Sequence, residues 1–324
     1  MREEGAGATP VRLTDLVAIA RPEQWSKHIF IVPGVLVGRV LTGASVDWPV
    51  IVTGFAAACL LASANYVLNE WLDAERDRHH PTKGGRPAAK GRLTAGIVWS
   101  EYAVLALTGI GLAVMVSPTF AVTAGLFLAG AVVYNVPPVR AKERTHWDVI
   151  VEAANNPIRL LLGWFMVTPV TFPPLSLLLM YWCGGAFLMA TKRLAEYRYL
   201  VGVEGPELAG RYRSSFRGYS QETLLLSCFF YGILSSFLLA TFLIKYREEL
   251  LLAVPLFAWI FIHYLRLAVS DRSLAESPES FYLQKGLVPL IVALAVAVTI
   301  LSFVDIPMVE WLTQSRFTEI RFPR

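Results

Sequence analysis

Asn69, Asp73 and Asp77 recur every four residues at the end of an apolar run, within Asn69-Glu70-Trp71-Leu72-Asp73-Ala74-Glu75-Arg76-Asp77. On a helix that spacing stacks the three along one face. Carboxylates on one stripe repel by roughly a few tenths of a kcal/mol even when exposed, and the cost grows beside a membrane, where charge is poorly solvated. Two arrangements relieve it. Arg76 and Arg78 pair with the acids at a solvated helix end, or a divalent cation binds there. Mg2+ takes carboxylate oxygens together with substrate phosphate oxygens, and the Asn69 amide oxygen completes such a shell. The chain continues Asp77-Arg78-His79-His80-Pro81-Thr82-Lys83-Gly84-Gly85-Arg86-Pro87, a glycine-rich, basic loop. Backbone amides at glycine turns and the Lys83 and Arg86 side chains suit phosphate. Carboxylates for a metal and bases for phosphate together describe a diphosphate-binding assembly.

The elements that carry these residues are expected to cross a membrane. The 324 residues are 55% hydrophobic and 17% charged, against about 25% charged in a soluble domain. Nine runs approach the roughly 20 apolar residues that span a bilayer: 28–45, 50–69, 97–116, 119–138, 149–169, 174–191, 222–244, 249–268 and 285–304. The sequence therefore predicts an all-α polytopic membrane bundle of about nine transmembrane helices. No long linker divides it, so residues 1–324 are expected to form one integral-membrane domain, with 1–27 a cytoplasmic N-terminal segment and 305–324 a C-terminal tail. The first residues are polar and acidic, unlike a secretory signal peptide. Cys59, Cys183 and Cys228 all lie in apolar runs, where cysteine acts as a small buried hydrophobe rather than a disulfide partner.

Charge placement sets the orientation. Of the 29 Lys and Arg residues, 22 fall in the N-terminal segment and in alternate loops, including Arg76–Arg92, Arg140–Arg144 and Lys192–Arg217. Lys245, Arg247, Arg316, Arg321 and Arg324 fall on the other side. By the positive-inside rule the N-terminus and the long loops are cytoplasmic, which puts the site on that face of the plasma (inner) membrane. The fifth run holds Glu152, Asn155, Asn156, Pro157 and Arg159; lipid exposure of these is expensive, so they face the bundle interior. A Glu152–Arg159 pairing and a substrate contact both remain open. Asp148 reads as a helix-start carboxylate favoured by the dipole. The basic, aromatic stretch Arg211–Tyr219 suits anionic lipid headgroups, and nothing resembles a nucleic-acid module. His263 and the methionines read as packing.

Asn69-Glu70-x-x-Asp73-x-x-x-Asp77 resembles the NDxxDxxxD signature of the UbiA prenyltransferase superfamily, with Glu70 for the usual Asp. Glutamate keeps the charge but lengthens the reach, so Glu70 stays outside the expected metal set of Asn69, Asp73 and Asp77. His80-Pro81-Thr82-Lys83-x-x-Arg86-Pro87 resembles a loop of the polyprenyl-phosphate phosphoribosyltransferase branch. Arg21-Pro22-Glu23-Gln24-Trp25-Ser26-Lys27-His28 is similar to that branch's entry to the first helix, with His28 for Asn. Tyr134-Asn135-Val136-Pro137-Pro138-Val139-Arg140-Ala141-Lys142 resembles the superfamily's Tyr-Ser-x-Pro-Pro-x-Arg-x-Lys turn, with Asn135 in the Ser place. The prolines end the helix and aim Arg140 and Lys142 back at the cytoplasmic rim. In prenyl-transferring members a second acidic motif, DxxxD, follows the sixth span; here Thr191-Lys192-Arg193-Leu194-Ala195-Glu196 stands there. Its first acid is missing, and the Lys-Arg-x-x-Glu pattern looks like the phosphoribosyltransferase branch.

What the resemblance implies is a Mg2+-dependent membrane transferase moving 5-phosphoribose from phosphoribosyl pyrophosphate to a polyprenyl phosphate, in cell envelope biosynthesis. It implies Asp73, Asp77, Lys192 and Glu196 as catalytic residues, and Lys27, Lys83, Arg86, Tyr134, Arg140, Lys142 and Arg193 as substrate-binding residues. A homo-oligomer within membrane lipid is compatible with this reading. The alternative is prenyl transfer from a prenyl diphosphate to an aromatic or lipid acceptor, which the first motif and the Pro-Pro turn serve equally well. A transporter or scaffold is a third class, disfavoured because the charges gather at one rim rather than mid-span.

Overall fold

A computed structural model describes residues 11–78, 84–204, 209–210, 212–270, 286–301 and 304–313; these are helices and turns, with no strand among the described residues. They divide into two compact units. The first runs to Pro173 and takes in Arg213–Gly218, and the second holds the rest from Pro174 onward.

The first unit opens with α1 (Leu13–Ala20), which Arg21 ends in a left-handed conformation (φ 50°). A 3-10 segment, Pro22–Ile31, leads into α2 (Val32–Thr42), which Gly43 ends at φ 68°. Next comes α3 (Trp48–Asp77), with Pro49 in its first turn, where a missing N–H costs nothing. Its 30 residues measure about 45 Å at 1.5 Å per residue, against a hydrocarbon core of about 30 Å. The last turns therefore stand clear of the apolar layer and carry the acidic motif to the interface. Arg78 is its C-cap, and a basic stretch rich in Pro and Gly follows in the sequence.

Helices α4 (Ala95–Val116) and α5 (Pro118–Asn135) are joined by Ser117 alone. Its Oγ accepts from the Phe120 N–H at 3.1 Å, capping α5, while Pro118 takes the first helical position. Then come α6 (Trp147–Ala153) and α7 (Asn155–Val167). The break between them has a local cause. Pro157 has no N–H to give to the Ala153 carbonyl, and the Asn156 side-chain amide donates to that oxygen instead, at 3.2 Å. Helix α3 is central, packed by α4, α5 and α7, and the buried core includes Leu61, Phe120 and Trp164. Where α2 crosses α7 the backbones touch: a Cβ on Gly34 would lie 2.1 Å from the Leu160 oxygen, and one on Gly163 would lie 2.1 Å from the Ile31 oxygen. Only glycine allows that approach.

The second unit contains α8 (Leu175–Glu204), α9 (Gln221–Tyr246), α10 (Val254–Ser270), α11 (Leu287–Leu301) and α12 (Pro307–Thr313). Ser220 caps α9 by accepting the Thr223 N–H. Helices α8 and α9 meet at the buried Ser235, whose Oγ donates to the Met180 carbonyl at 3.2 Å, and Phe187 of α8 stacks on Phe261 of α10 with ring centroids 4.4 Å apart.

Six helices among the described residues are long and apolar enough to cross a membrane, and Leu287–Leu301 is a shorter apolar one. The other two of the nine expected runs take a different form. The first becomes the end of the 3-10 segment plus the short α2, which has Pro33 in its first turn, and the fifth becomes α6 plus α7, where Pro157 interrupts regular helix hydrogen bonding. Leu107, Val114 and Met115 on α4, and Phe229, Ile233 and Phe237 on α9, are exposed. Such apolar faces are at rest in lipid and not in water, as befits an integral membrane protein.

Candidate diphosphate and metal site

The end of α3 places Glu70, Asp73, Glu75 and Asp77 in its last turns, at the negative pole of the helix dipole. Without compensation that arrangement is unfavourable. For Glu70, Asp73 and Asp77 the compensation comes from cationic side chains outside the helix, not from the flanking arginines. Arg76 turns to Glu143 at 2.7 Å, and Arg78 pairs with Glu75 at 3.6 Å and donates to the Ala89 carbonyl.

Asp73 is served by the turn after α5. Beyond Asn135, Pro137 and Pro138 end the helix, and Arg140 adopts a left-handed conformation (φ 36°) that starts the 3-10 turn Ala141–Glu143. That conformation costs a non-glycine residue about 1–2 kcal/mol, and it returns the chain to α3. Arg140 Nη2 donates to Asp73 Oδ1 at 3.2 Å. Lys142 Nζ donates to Asp73 Oδ1 at 2.6 Å, to Asn135 Oδ1 at 2.9 Å and to Asn69 Oδ1 at 3.3 Å. Glu143 lies between Arg140 (2.6 Å) and Arg76 (2.7 Å), closing the network. Burial pushes the Lys142 ammonium below the usual lysine range, against the pull of Asp73. Asp77 pairs with Arg86 Nη1 at 2.5 Å. Arg86, Arg140 and Lys142 thus come together on the Asn69–Asp73–Asp77 face.

Glu70 turns away from that face. Buried to 2% exposure, it accepts from Arg21 Nη2 at 2.6 Å and Nε at 3.2 Å. Arg21 and Arg140 are two of the three non-glycine residues with positive φ among the described residues. Both carry their guanidinium to the acidic motif. The entry segment also lies against α3: Trp25 Nε1 donates to Ser63 Oγ at 3.0 Å, and Lys27 Nζ lies 5.8 Å over the Tyr66 ring.

Other expected site residues are placed elsewhere. Tyr134 Oη donates to Glu152 Oε2 at 2.7 Å, so Glu152 has a partner besides any contact to Arg159. Lys83 lies outside the described residues. Lys192, Arg193 and Glu196 belong to α8 of the second unit, where the buried Arg193 pairs with Glu196 at 3.2 Å. Asn135 and Arg21 are contacts that sequence reasoning quoted but did not assign. Asp148 does more than open α6: it is fully buried and accepts from Ser215 Oγ at 3.0 Å, while Thr145 Oγ1 donates to the Ser215 carbonyl at 2.8 Å. These bonds fix Ser214–Gly218 against the Arg140–Lys142 turn.

The oxygen donors of Asn69, Asp73 and Asp77 fit Mg2+, a hard cation that takes carboxylate and amide oxygens and keeps room for phosphate. Among the described residues no three His, Cys, Asp or Glu side chains form a metal cluster. The Lys142 ammonium stands in for a cation, touching three oxygens, two of them from the expected ligand set.

The sequence pattern described as the UbiA prenyltransferase family matches residues 31–288. The chain is 34% identical over 152 residues to the "Uncharacterized protein y4nM" of Sinorhizobium fredii, covering 46% of this chain and 28% of that one. It is 29% identical over 201 residues to the decaprenyl-phosphate phosphoribosyltransferase of Mycobacterium tuberculosis, covering 60% of this chain and 65% of that one. It therefore spans less than two thirds of either relative's length. A solved UbiA homolog from Archaeoglobus fulgidus, bound to GPP and Mg2+, matches with a TM-score of 0.66 at 18% identity, over 89% of this chain and 98% of that one.

Proposed function

The chain belongs to the UbiA prenyltransferase family, and from that premise we propose that it moves 5-phosphoribose from phosphoribosyl pyrophosphate to a polyprenyl phosphate, releasing pyrophosphate. The observation that carries this reading is the meeting of Arg86, Arg140 and Lys142 on the Asn69–Asp73–Asp77 face. Likeness to decaprenyl-phosphate phosphoribosyltransferase supports the branch. So does the Arg193–Glu196 pair at the position where a prenyl-transferring enzyme carries its second acidic motif.

In the proposed reaction the bond from ribose C1 to pyrophosphate breaks with its electron pair leaving on pyrophosphate, and an acceptor phosphate oxygen bonds to C1. The acceptor is already an anion and needs no general base. Asn69, Asp73 and Asp77 would hold Mg2+, which when bound supplies neutralisation of the departing diphosphate. Arg86, Arg140 and Lys142 would add fixed positive charge on the same leaving group, and preorganised charge of this kind is where most of the rate enhancement of such a reaction arises. Lys27 and Lys83 are assigned to donor phosphates, Tyr134 to substrate binding, and Lys192 and Arg193 to the acceptor phosphate, with Glu196 paired to Arg193. The site is assigned to the cytoplasmic face of the plasma (inner) membrane, where a soluble phosphorylated sugar is available, and the chain acts as one transferase.

The test uses purified protein, labelled phosphoribosyl pyrophosphate and a polyprenyl phosphate. Label should enter the organic phase, and chelation of Mg2+ should stop it. Product formed only from a prenyl diphosphate and an aromatic acceptor overturns the proposal in favour of prenyl transfer, which the same acidic face would serve.

A further inference from the structure

Lys142 is 7% exposed, and its ammonium donates to three oxygens: Asp73 Oδ1 at 2.6 Å, Asn69 Oδ1 at 3.3 Å and Asn135 Oδ1 at 2.9 Å. The first two belong to the set assigned to Mg2+. The third stands off that stripe. Asn135 is the last residue of α5, is 3% exposed, and meets Lys142 across the Pro137–Pro138 turn. Both ends of its amide are committed. Nδ2 donates to the Ala131 carbonyl at 2.9 Å, which turns Oδ1 toward Lys142, and an ammonium has donors only, so it takes the oxygen. The C-terminal end of α5 adds the negative pole of its dipole. When Asn69 and Asp73 turn to Mg2+, Lys142 loses two of its three acceptors and Asn135 is the one that stays. Without it, a strongly hydrated charge on a flexible four-carbon stem leaves for water. Arg140 has an anchor of the same kind, since Glu143 holds it at 2.6 Å from outside the acidic stripe.

We propose that Asn135 is a positioning residue for Lys142: it retains the ammonium beside the acidic face when Asp73 and Asn69 are given to a metal, so that the charge passes from those two oxygens to a diphosphate oxygen without leaving the site. The inference rests on the diphosphate site of the reading above, and it holds whether the diphosphate belongs to phosphoribosyl pyrophosphate or to a prenyl diphosphate. A neutral acceptor suits the task. A carboxylate in its place would bind the ammonium as a strong charge-assisted pair and repel the incoming phosphate, while an apolar side chain would offer it nothing. The amide costs the ammonium none of its charge and leaves its other donors for the ligand.

The experiment measures binding to the full-length protein in detergent, with Mn2+ alone followed by electron paramagnetic resonance and inorganic pyrophosphate plus Mg2+ followed by calorimetry. Asn135→Ala should weaken pyrophosphate by about fivefold or more, the worth of one hydrogen bond. Mn2+ alone should bind it no more tightly than wild type, because Lys142 then has only Asp73 and Asn69 to hold. That sign sets the variant apart from Lys142→Met, where the competing ammonium is gone and Mn2+ affinity rises. Asn135→Ser keeps a hydroxyl acceptor on a shorter arm and should show a smaller loss of the same sign; it serves as the probe if the alanine variant does not fold. In a Lys142→Met background either Asn135 substitution should change pyrophosphate affinity by less than about twofold, because the partner it acts through is absent. A loss of full size in that background shows that the amide acts on the turn and Arg140 instead, and overturns the proposal. So does a rise in Mn2+ affinity in Asn135→Ala, or wild-type affinity for pyrophosphate in the folded Asn135 variants, which removes the positioning role and leaves the diphosphate site intact. A wild-type protein that binds no pyrophosphate in the presence of Mg2+ removes both.

Discussion

Replacing Lys142 by methionine separates its role as a stand-in cation from its proposed role on phosphate. The Lys142 ammonium holds Asp73 at 2.6 Å, Asn135 at 2.9 Å and Asn69 at 3.3 Å. A metal ion that uses Asn69 and Asp73 must displace it. Hydrogen bonds to charged groups contribute about 1.5–3 kcal/mol, and Arg140 remains 3.2 Å from Asp73, so the lower end of that range applies. Without the competitor, divalent-cation affinity in the absence of diphosphate should rise by about tenfold, the equivalent of roughly 1.4 kcal/mol. With diphosphate present the sign reverses, because a phosphate contact has gone, and pyrophosphate should bind more weakly than to wild type. Titration of the purified protein with Mn2+ by electron paramagnetic resonance reads the first quantity, and calorimetry with pyrophosphate reads the second. The variant should also unfold more easily by about 1–3 kcal/mol, since the buried Asn135 oxygen loses its partner. A folded Lys142→Met protein whose Mn2+ affinity is unchanged or lower would show that the ammonium and the metal do not share those oxygens.

Further outcomes follow from other contacts. The Lys142 value is lowered from 10.5 in the folded protein, so in the window just below 10.5 the unfolded chain binds the extra proton. Stability of wild type relative to Lys142→Met should therefore rise as pH climbs toward 10.5; thermal melts showing a flat or falling difference contradict the burial argument. Glu70→Gln strands the Arg21 guanidinium and should cost about 3 kcal/mol or more, yet leave Mn2+ affinity within about twofold; a large loss of metal binding would make Glu70 a ligand after all. Gly163→Ala drives a methyl group into the Ile31 carbonyl and should cost about 1–3 kcal/mol or more, read by unfolding in mixed micelles. Ser215→Ala removes a hydrogen bond to the buried Asp148 carboxylate and should cost about 1.5–3 kcal/mol, with faster limited proteolysis near Arg213–Gly218; wild-type resistance there would deny the latch.

The helical class, the membrane setting and the acidic stripe were legible in the chain because each depends on local periodicity. Apolar runs long enough to span lipid predict helices whatever their neighbours are, and four-residue spacing stacks Asn69, Asp73 and Asp77 on any helix. The Pro-Pro turn likewise announced that Arg140 and Lys142 come back toward the rim. The partner of each charge was not legible. Arg76 and Arg78 lie nearest to the acids in sequence, yet Arg140, Lys142 and Arg86 neutralise Asp73 and Asp77, and Arg21 takes Glu70 from 49 residues away. Nor could periodicity tell an unbroken fifth span from two short helices kinked at Pro157, since the Asn156 amide that mends the break is one polar residue among several. Local spacing decides which residues share a helix face. Which loop closes over that face depends on long-range packing, such as the glycine contact of α2 with α7 and the Ser215–Asp148 bond, and the tertiary structure alone decides it.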